Sequence, residues 1–175
     1  MNWRELLTKS AEYSYTVTDN LMALVDDADL DWKPATGANW MTTGQLLHHL
    51  TGSCGLCWKG FVTGDWGMPE GVSYEDIPAD EMLPPAENLP TVSSVADARR
   101  ALAADRDVAR AVLAEASDER LDQEMLAAPW HPEETKRLGE HLLGMVTHLD
   151  CHKAQLFYYL KLQGKDVNTM HLWGV

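Results

Sequence analysis

Residues 136–163 read KRLGEHLLGMVTHLDCHKAQLFYYLKLQ, and this stretch predicts one long helix. Its leucines recur at helical spacing and form one apolar face, which predicts that the helix is buried along one side. Three histidines, His141, His148 and His152, fall within a sector of about 60° on the same helix. This sector lies at the edge of the apolar face, so we expect the imidazoles to face the interior of a helical protein rather than open solvent.

Three further stretches predict helices, at about residues 3–25, 43–62 and 95–115, because apolar side chains recur in them at helical spacing or because alanine is abundant. Capping residues support these boundaries and those of the last helix; they are Thr42 with Gln45, Ser94 with Asp97, Thr135, Gly64 and Gly164. Four helices of this length predict an all-α fold, a four-helix bundle.

The connection between the second and third predicted helices, about residues 65–91, is long, acidic and rich in proline, and it contains no Lys or Arg. A connection of this length is uncommon in a small domain unless it is a lid, a binding loop or a crossover. A crossover between helices two and three is one known way to connect a four-helix bundle. We therefore expect a single domain over residues 1–175 in which this segment is the crossover.

The bulk properties limit the partners of the chain. A net charge of −13 over 175 residues predicts repulsion from nucleic acids and anionic membrane surfaces. The sequence shows neither an apolar run of membrane-spanning length nor a hydrophobic leader at its start. Its three cysteines are an odd number in a chain that needs no disulfides. We expect a cytoplasmic protein that binds neither nucleic acid nor membrane.

His148 and His152 stand four residues apart, a spacing that places two imidazoles side by side on a helix, where they can hold one metal ion. A third ligand has to come from another helix, and the second predicted helix offers His48 and His49. Both lie roughly 120–140° from the centre of its apolar face, so helical geometry alone barely separates them. His49 shares its side of the helix with Leu46, Ser53 and Leu56, whereas the neighbours of His48 are glycines and a lysine, which favours His49.

Other side chains are candidates for a fourth metal ligand. His141 lies two turns before the pair, where it would either approach the metal or pack. The sequence Cys54-Gly-Leu-Cys57 has the spacing of a redox motif. We predict these cysteines to lie in the middle of the second helix, on its apolar face, where packing is the simpler interpretation. Cys54 and Cys57 remain open as additional ligands.

The sequence His148-Leu-Asp-Cys-His152-Lys-Ala-Gln155 resembles the last-helix signature of the DinB/YfiT-like family of metal-dependent four-helix-bundle proteins. In that family the histidine pair is usually followed by Arg-Gly-Gln; here Lys153 and Ala154 replace Arg-Gly. Asn39-Trp40, followed by TGQLLHHL at residues 43–50, resembles the second helix of the family. His49 matches the position of the first ligand there.

This resemblance implies an up-down-down-up bundle with a metal held by His49, His148 and His152, and it implies a homodimer. Nitrogen ligands suit zinc or nickel, and also iron or copper. The implied activity uses a small-molecule substrate, in thiol-dependent S-transfer with a low-molecular-weight thiol or in metal-assisted hydrolysis. The alternative is a non-catalytic, stress-induced metal-binding protein or a bundle that binds a partner. The three histidines are predicted as metal ligands, and no catalytic side chain is predicted.

Overall fold

The computed structural model describes residues 2–69, 71–72, 77 and 84–175. This part of the chain is mostly helical and also contains one antiparallel pair of strands, so the all-α prediction is confirmed apart from that small sheet. The helices are α1 (Trp3–Met22), α2 (Thr43–Leu50), α3 (Gly55–Thr63), α4 (Val95–Glu115), α5 (Asp118–Gln123), α6 (Leu138–Leu162) and α7 (Thr169–Trp173). The strands are β1 (Met125–Ala128) and β2 (His131–Arg137).

The long helices pack around a shared core. Helix α1 lies against α4 and α6, α3 contacts the same two helices, and α2 packs on α6. Each of them contributes side chains to one cluster of buried apolar residues, which includes Leu7, Leu47, Trp58, Leu102 and Leu142. The leucine face predicted for the last helix is therefore the face that α6 turns to its neighbours.

The second predicted helix, 43–62, is not continuous: α2 ends at Leu50 and α3 begins at Gly55. Asp105 of α4 fixes the start of α3, because its carboxylate accepts the backbone N–H groups of Gly55 and Leu56, both at 2.8 Å. Its oxygen Oδ2 also accepts the hydroxyl of Tyr15 at 2.6 Å. A Cβ on Gly55 would lie 2.0 Å from the Asp105 carbonyl oxygen, so this close approach requires glycine.

Most of the predicted caps are confirmed. Thr42 and Gln45 form a capping box, Ser94 accepts the backbone N–H of Asp97, and Gly64 and Gly164 have positive φ angles of 78° and 81°. Thr135 was wrongly predicted as an N-cap, because it belongs to β2. Helix α6 begins at Leu138, where the Glu140 carboxylate accepts the backbone N–H of Arg137 at 2.9 Å.

The hairpin of β1 and β2 precedes α6, and its register pairs Met125 with Arg137. Every residue of β2 is exposed, so this strand carries none of the apolar alternation that identifies a strand in a sequence. The predicted crossover at about 65–91 lies in part outside the described residues. None of the helices in the described part of the chain combines the length and apolar character needed to span a bilayer.

Candidate metal centre

The Nε2 atoms of His49, His148 and His152 converge on one point. The distances between them are 3.2 Å from His49 to His148, 3.0 Å from His49 to His152 and 2.9 Å from His148 to His152. A tetrahedral ion with metal–nitrogen bonds of about 2.0–2.1 Å has nitrogen ligands about 3.3–3.4 Å apart. The triangle is therefore a few tenths of an ångström smaller than such a site, a difference that small rotations of the rings can close.

Two helices place these rings. His49 lies in the last turn of α2, and His148 and His152 occupy successive turns of α6, which packs against α2. Other groups hold the opposite edges of two rings. The Nδ1 of His148 donates to the backbone carbonyl of Ser53 at 3.2 Å, and the Nδ1 of His152 donates to the side-chain oxygen of Gln155 at 2.6 Å.

These two hydrogen bonds decide where the protons are. A carbonyl oxygen can only accept, so His148 and His152 carry their protons on Nδ1 and present lone pairs at Nε2. Among the three Nε2 atoms, only that of His49 could then carry a proton. A single N–H group cannot donate well to two facing nitrogens at once, so lone pairs still face one another. A cation bound at this point resolves the repulsion between the lone pairs, and the hydrogen-bonded Nδ1 groups are the support that metal-bound histidines usually have.

The rings are neutral at ordinary pH. Burial, together with repulsion from the neighbouring histidines, lowers the pKa of His49 from 6.5 to about 4. Burial also lowers the pKa values of His148 and His152, and the hydrogen bonds to Ser53 and Gln155 oppose this only in part. A metal ion at neutral pH would therefore displace no protons from these ligands.

These shifts predict how the stability of the metal-free protein depends on pH. The unfolded chain binds more protons than the folded one between pH 6.5 and about 4, the two pKa values of His49. The contribution of this residue to the free energy of unfolding is then complete above pH 6.5 and is lost as the pH falls towards 4. Urea titrations at a series of pH values between 6.5 and 4 should show that the free energy of unfolding falls less steeply with pH in His49→Gln than in the wild type. The same dependence of the free energy of unfolding on pH in both proteins would contradict the lowered pKa of His49.

The other candidates from the sequence lie elsewhere. His141 donates its Nε2–H to the carbonyl oxygen of Leu126 at 2.8 Å and stacks on Phe61 with ring centroids 4.3 Å apart, which ties the hairpin to α6. His48 is exposed in the last turn of α2. Within the residues that the structure describes, no fourth His, Cys, Asp or Glu side chain joins the three-histidine group.

The cysteines differ from their predicted placement, because Cys54 is at the N-cap position of α3 and not in the middle of a helix. A helix N-terminus ordinarily lowers the pKa of a thiol. Here burial, the largest effect, raises the pKa of Cys54, and the nearby Asp105 charge adds to it. Burial likewise raises the pKa of Cys57 to about 11. Both thiols are protonated at neutral pH and all three cysteines are free, which supports packing over redox chemistry.

The sequence did not reveal two groups that support the cluster. Ser53 acts through its backbone carbonyl, which any residue type supplies, so no sequence signal marks it. Asp105 acts from α4, 50 residues after Gly55. It is one of three aspartates in α4, with Asp97 and Asp107, so its residue type alone does not distinguish it in the sequence.

Fold and site together define a class: a mostly helical protein in which two packed helices bring three imidazole nitrogens to one point suited to a metal ion. The sequence profile of the DinB superfamily matches residues 11–156, a range that includes all three histidines. The chain belongs to the DinB superfamily, as its motifs suggested. It has no match among curated proteins and none among solved structures.

Proposed function

We propose that His49, His148 and His152 hold one divalent transition metal through their Nε2 atoms. The observation that carries this proposal is the triangle of three Nε2 atoms, two of which have their ring protons engaged on the far side by Ser53 and Gln155. Zinc and nickel are the first candidates, and iron and copper follow, because neutral nitrogen ligands suit these ions better than magnesium or calcium.

We also propose that the chain is one domain, residues 1–175, arranged as an up-down-down-up four-helix bundle. The segment from α2 to α3 would be a single bundle helix interrupted by the Asp105 cap, and α1, α4 and α6 would be the other three. The shared core of these helices supports this arrangement. The connection around residues 65–91 would then be the long crossover between the second and third bundle helices.

The site is proposed to be catalytic. Three protein ligands leave coordination positions open, as catalytic metal sites do and closed structural sites do not. A divalent ion bound there supplies a Lewis acid that lowers the pKa of a bound water or thiol and polarises a carbonyl. The reactions that fit are S-transfer from a low-molecular-weight thiol to a small electrophilic substrate and metal-assisted hydrolysis. The protein's own contribution is to hold three neutral imidazoles in place and to position the substrate.

The alternative function, non-catalytic metal binding, would be favoured by a fourth protein ligand. His141, Cys54 and Cys57 were the candidates for that position, and each is engaged in packing or hydrogen bonding away from the triangle. The three-ligand geometry therefore supports the catalytic proposal over a purely structural ion.

Gln155 is expected to support the site through His152. Replacing it with Leu removes the acceptor for the His152 Nδ1 proton, so the ring loses its fixed orientation and tautomer, and we expect zinc affinity to fall by about 10–100-fold. Gln155→Glu keeps an acceptor at the same place and should retain affinity within a few-fold. The measurement is competition with a chromophoric zinc chelator. Equal affinities for the Leu variant and the wild type would show that Gln155 does not position His152.

Activity is tested by loading the protein with zinc or nickel and following the consumption of an electrophile in the presence of glutathione, bacillithiol or mycothiol. The His148→Ala/His152→Ala variant is the control. Metal-dependent turnover that this variant lacks is the expected result. Turnover without any thiol would favour hydrolysis, and no turnover under any condition would contradict a catalytic site.

A further inference from the structure

A groove starts at the histidine cluster and runs between α2, α3 and α4. His49 and His148 form part of its wall, and its volume is about 570 Å³, a size that suits a small molecule. Most of its surface is apolar; the side chains responsible are Leu56, Leu89, Pro90, Ala101, Ala104 and Val108. Leu56 is 53 % exposed, so much of its side chain is accessible to a ligand in the groove.

The polar side chains of this groove are largely occupied by partners within the protein. Gln45 accepts the backbone N–H of Thr42 and donates to the Leu89 carbonyl at 2.8 Å. Thr51 and Ser53 donate their hydroxyls to backbone carbonyls of α2. Asp105 accepts three donors. Apart from the exposed His48 and the imidazole end, the groove therefore offers a ligand mainly apolar contacts.

Charge also limits what can occupy the groove. Among the residues that the structure describes, its lining includes Asp105 and the exposed imidazole of His48, and no Lys or Arg. An anionic group in the part of a ligand that lies away from the proposed metal would lose its hydration without a Lys or Arg partner, and it would lie near the Asp105 carboxylate. The small side chains of Ala101 and Ala104 on α4 leave space that larger residues would fill.

We infer that this groove binds the apolar, uncharged body of the substrate, while a polar head on the same molecule reaches the point between the three histidines. The inference rests on the proposed metal site and specifies the substrate class of that site. The charged groups of a low-molecular-weight thiol do not fit this environment, so the groove belongs to the apolar reaction partner, and the thiol's charged portion lies outside it.

The test uses the full-length protein loaded with cobalt(II), whose visible absorption reports ligand binding at the metal without any need for turnover. The probes are straight-chain alkyl hydroxamic acids, which share one metal-binding head and differ in chain length. Each added methylene should tighten binding by roughly threefold until the groove is filled, because each one buries apolar surface. A probe of equal length that ends in a carboxylate should bind no more tightly than the shortest member, acetohydroxamic acid.

A matched pair of variants locates the effect. Ala104→Phe fills the groove and should abolish the gain with chain length while leaving the binding of acetohydroxamic acid unchanged. Ala103→Phe makes the same change at an exposed position on α4 outside the groove and should behave as the wild type. Both changes are at exposed helix positions, so folding is expected to tolerate them.

The possible failures are distinguishable. Two results would overturn the groove assignment and leave the metal site intact. In one, acetohydroxamic acid binds but longer chains bind no more tightly; in the other, affinity rises with chain length as much in Ala104→Phe as in the wild type. Tighter binding of the carboxylate-ended probe would overturn the uncharged class. A protein that takes up no cobalt would overturn the proposed metal site, and the inference with it.

Discussion

His49→Ala is expected to reduce zinc affinity by on the order of a thousandfold or more, whereas His48→Ala should change it by less than about twofold. The Nε2 of His49 lies 3.2 Å and 3.0 Å from the other two Nε2 atoms, so its loss leaves two imidazoles on one helix and removes the imidazole that α2 contributes to the cluster. His48, its neighbour in the chain, is exposed and is not part of the cluster. Because binding energy at such a site comes from the full ligand set, losing one of three ligands has a large effect.

Competition titrations with a chromophoric chelator measure both affinities under identical conditions. The adjacent histidine is a close control, since the two variants remove the same side chain from the same helix turn. A large loss in His48→Ala with little change in His49→Ala would move the third ligand to position 48. Equal small effects in both variants would show that α2 contributes no ligand.

Asp105→Ala is expected to lower the free energy of unfolding by about 3–5 kcal/mol. The carboxylate is 3 % exposed and accepts bonds from the Tyr15 hydroxyl and from two N–H groups at the start of α3. Alanine would leave these buried donors without an acceptor. The break that contains Ser53 would lose its anchor, so zinc affinity should fall as well, although Asp105 forms hydrogen bonds with Tyr15, Gly55 and Leu56 and not with the histidines of the cluster.

Urea denaturation of Asp107→Ala is the matched control for that change. Asp107 lies on the same helix and its side chain is 71 % exposed in an ion pair with Arg110, so its loss should alter stability by less than about 1 kcal/mol. Asp105→Asn keeps one acceptor oxygen, so its free energy of unfolding should lie between those of Asp105→Ala and Asp107→Ala. A stable Asp105→Ala protein with unchanged zinc affinity would contradict the capping role.

The sequence was sufficient to predict the parts of the site that depend on local helical geometry. The four-residue spacing of His148 and His152 places both rings on one side of α6 whatever surrounds the helix. The caps at Thr42 and Ser94 could be predicted equally well, because each joins residues only three positions apart in the sequence. The close approach of His49 to the pair depends on how α2 packs on α6, and family resemblance supported that choice more strongly than the apolar pattern did.

The parts that were missed depend on contacts between distant residues. Residues 51–55 read TGSCG and have low helix propensity, but this alone did not predict a break, because the start of α3 is fixed by Asp105, which meets Gly55 only in the folded chain. The hairpin was missed because β2 is exposed throughout and has no apolar alternation, and because the hydrogen bond from His141 to Leu126 joins residues 15 positions apart. Tertiary contacts thus outweighed local preference at both places.

The most direct test of the three-histidine site is elemental analysis of the protein purified without an affinity tag or chelator, beside the His148→Ala/His152→Ala variant. The account predicts about one transition metal ion per chain in the wild type and almost none in the variant, with both proteins showing the same helical content by circular dichroism. No metal in the wild type, even after incubation with zinc or nickel, would contradict the account and would leave the three imidazoles a role in packing alone.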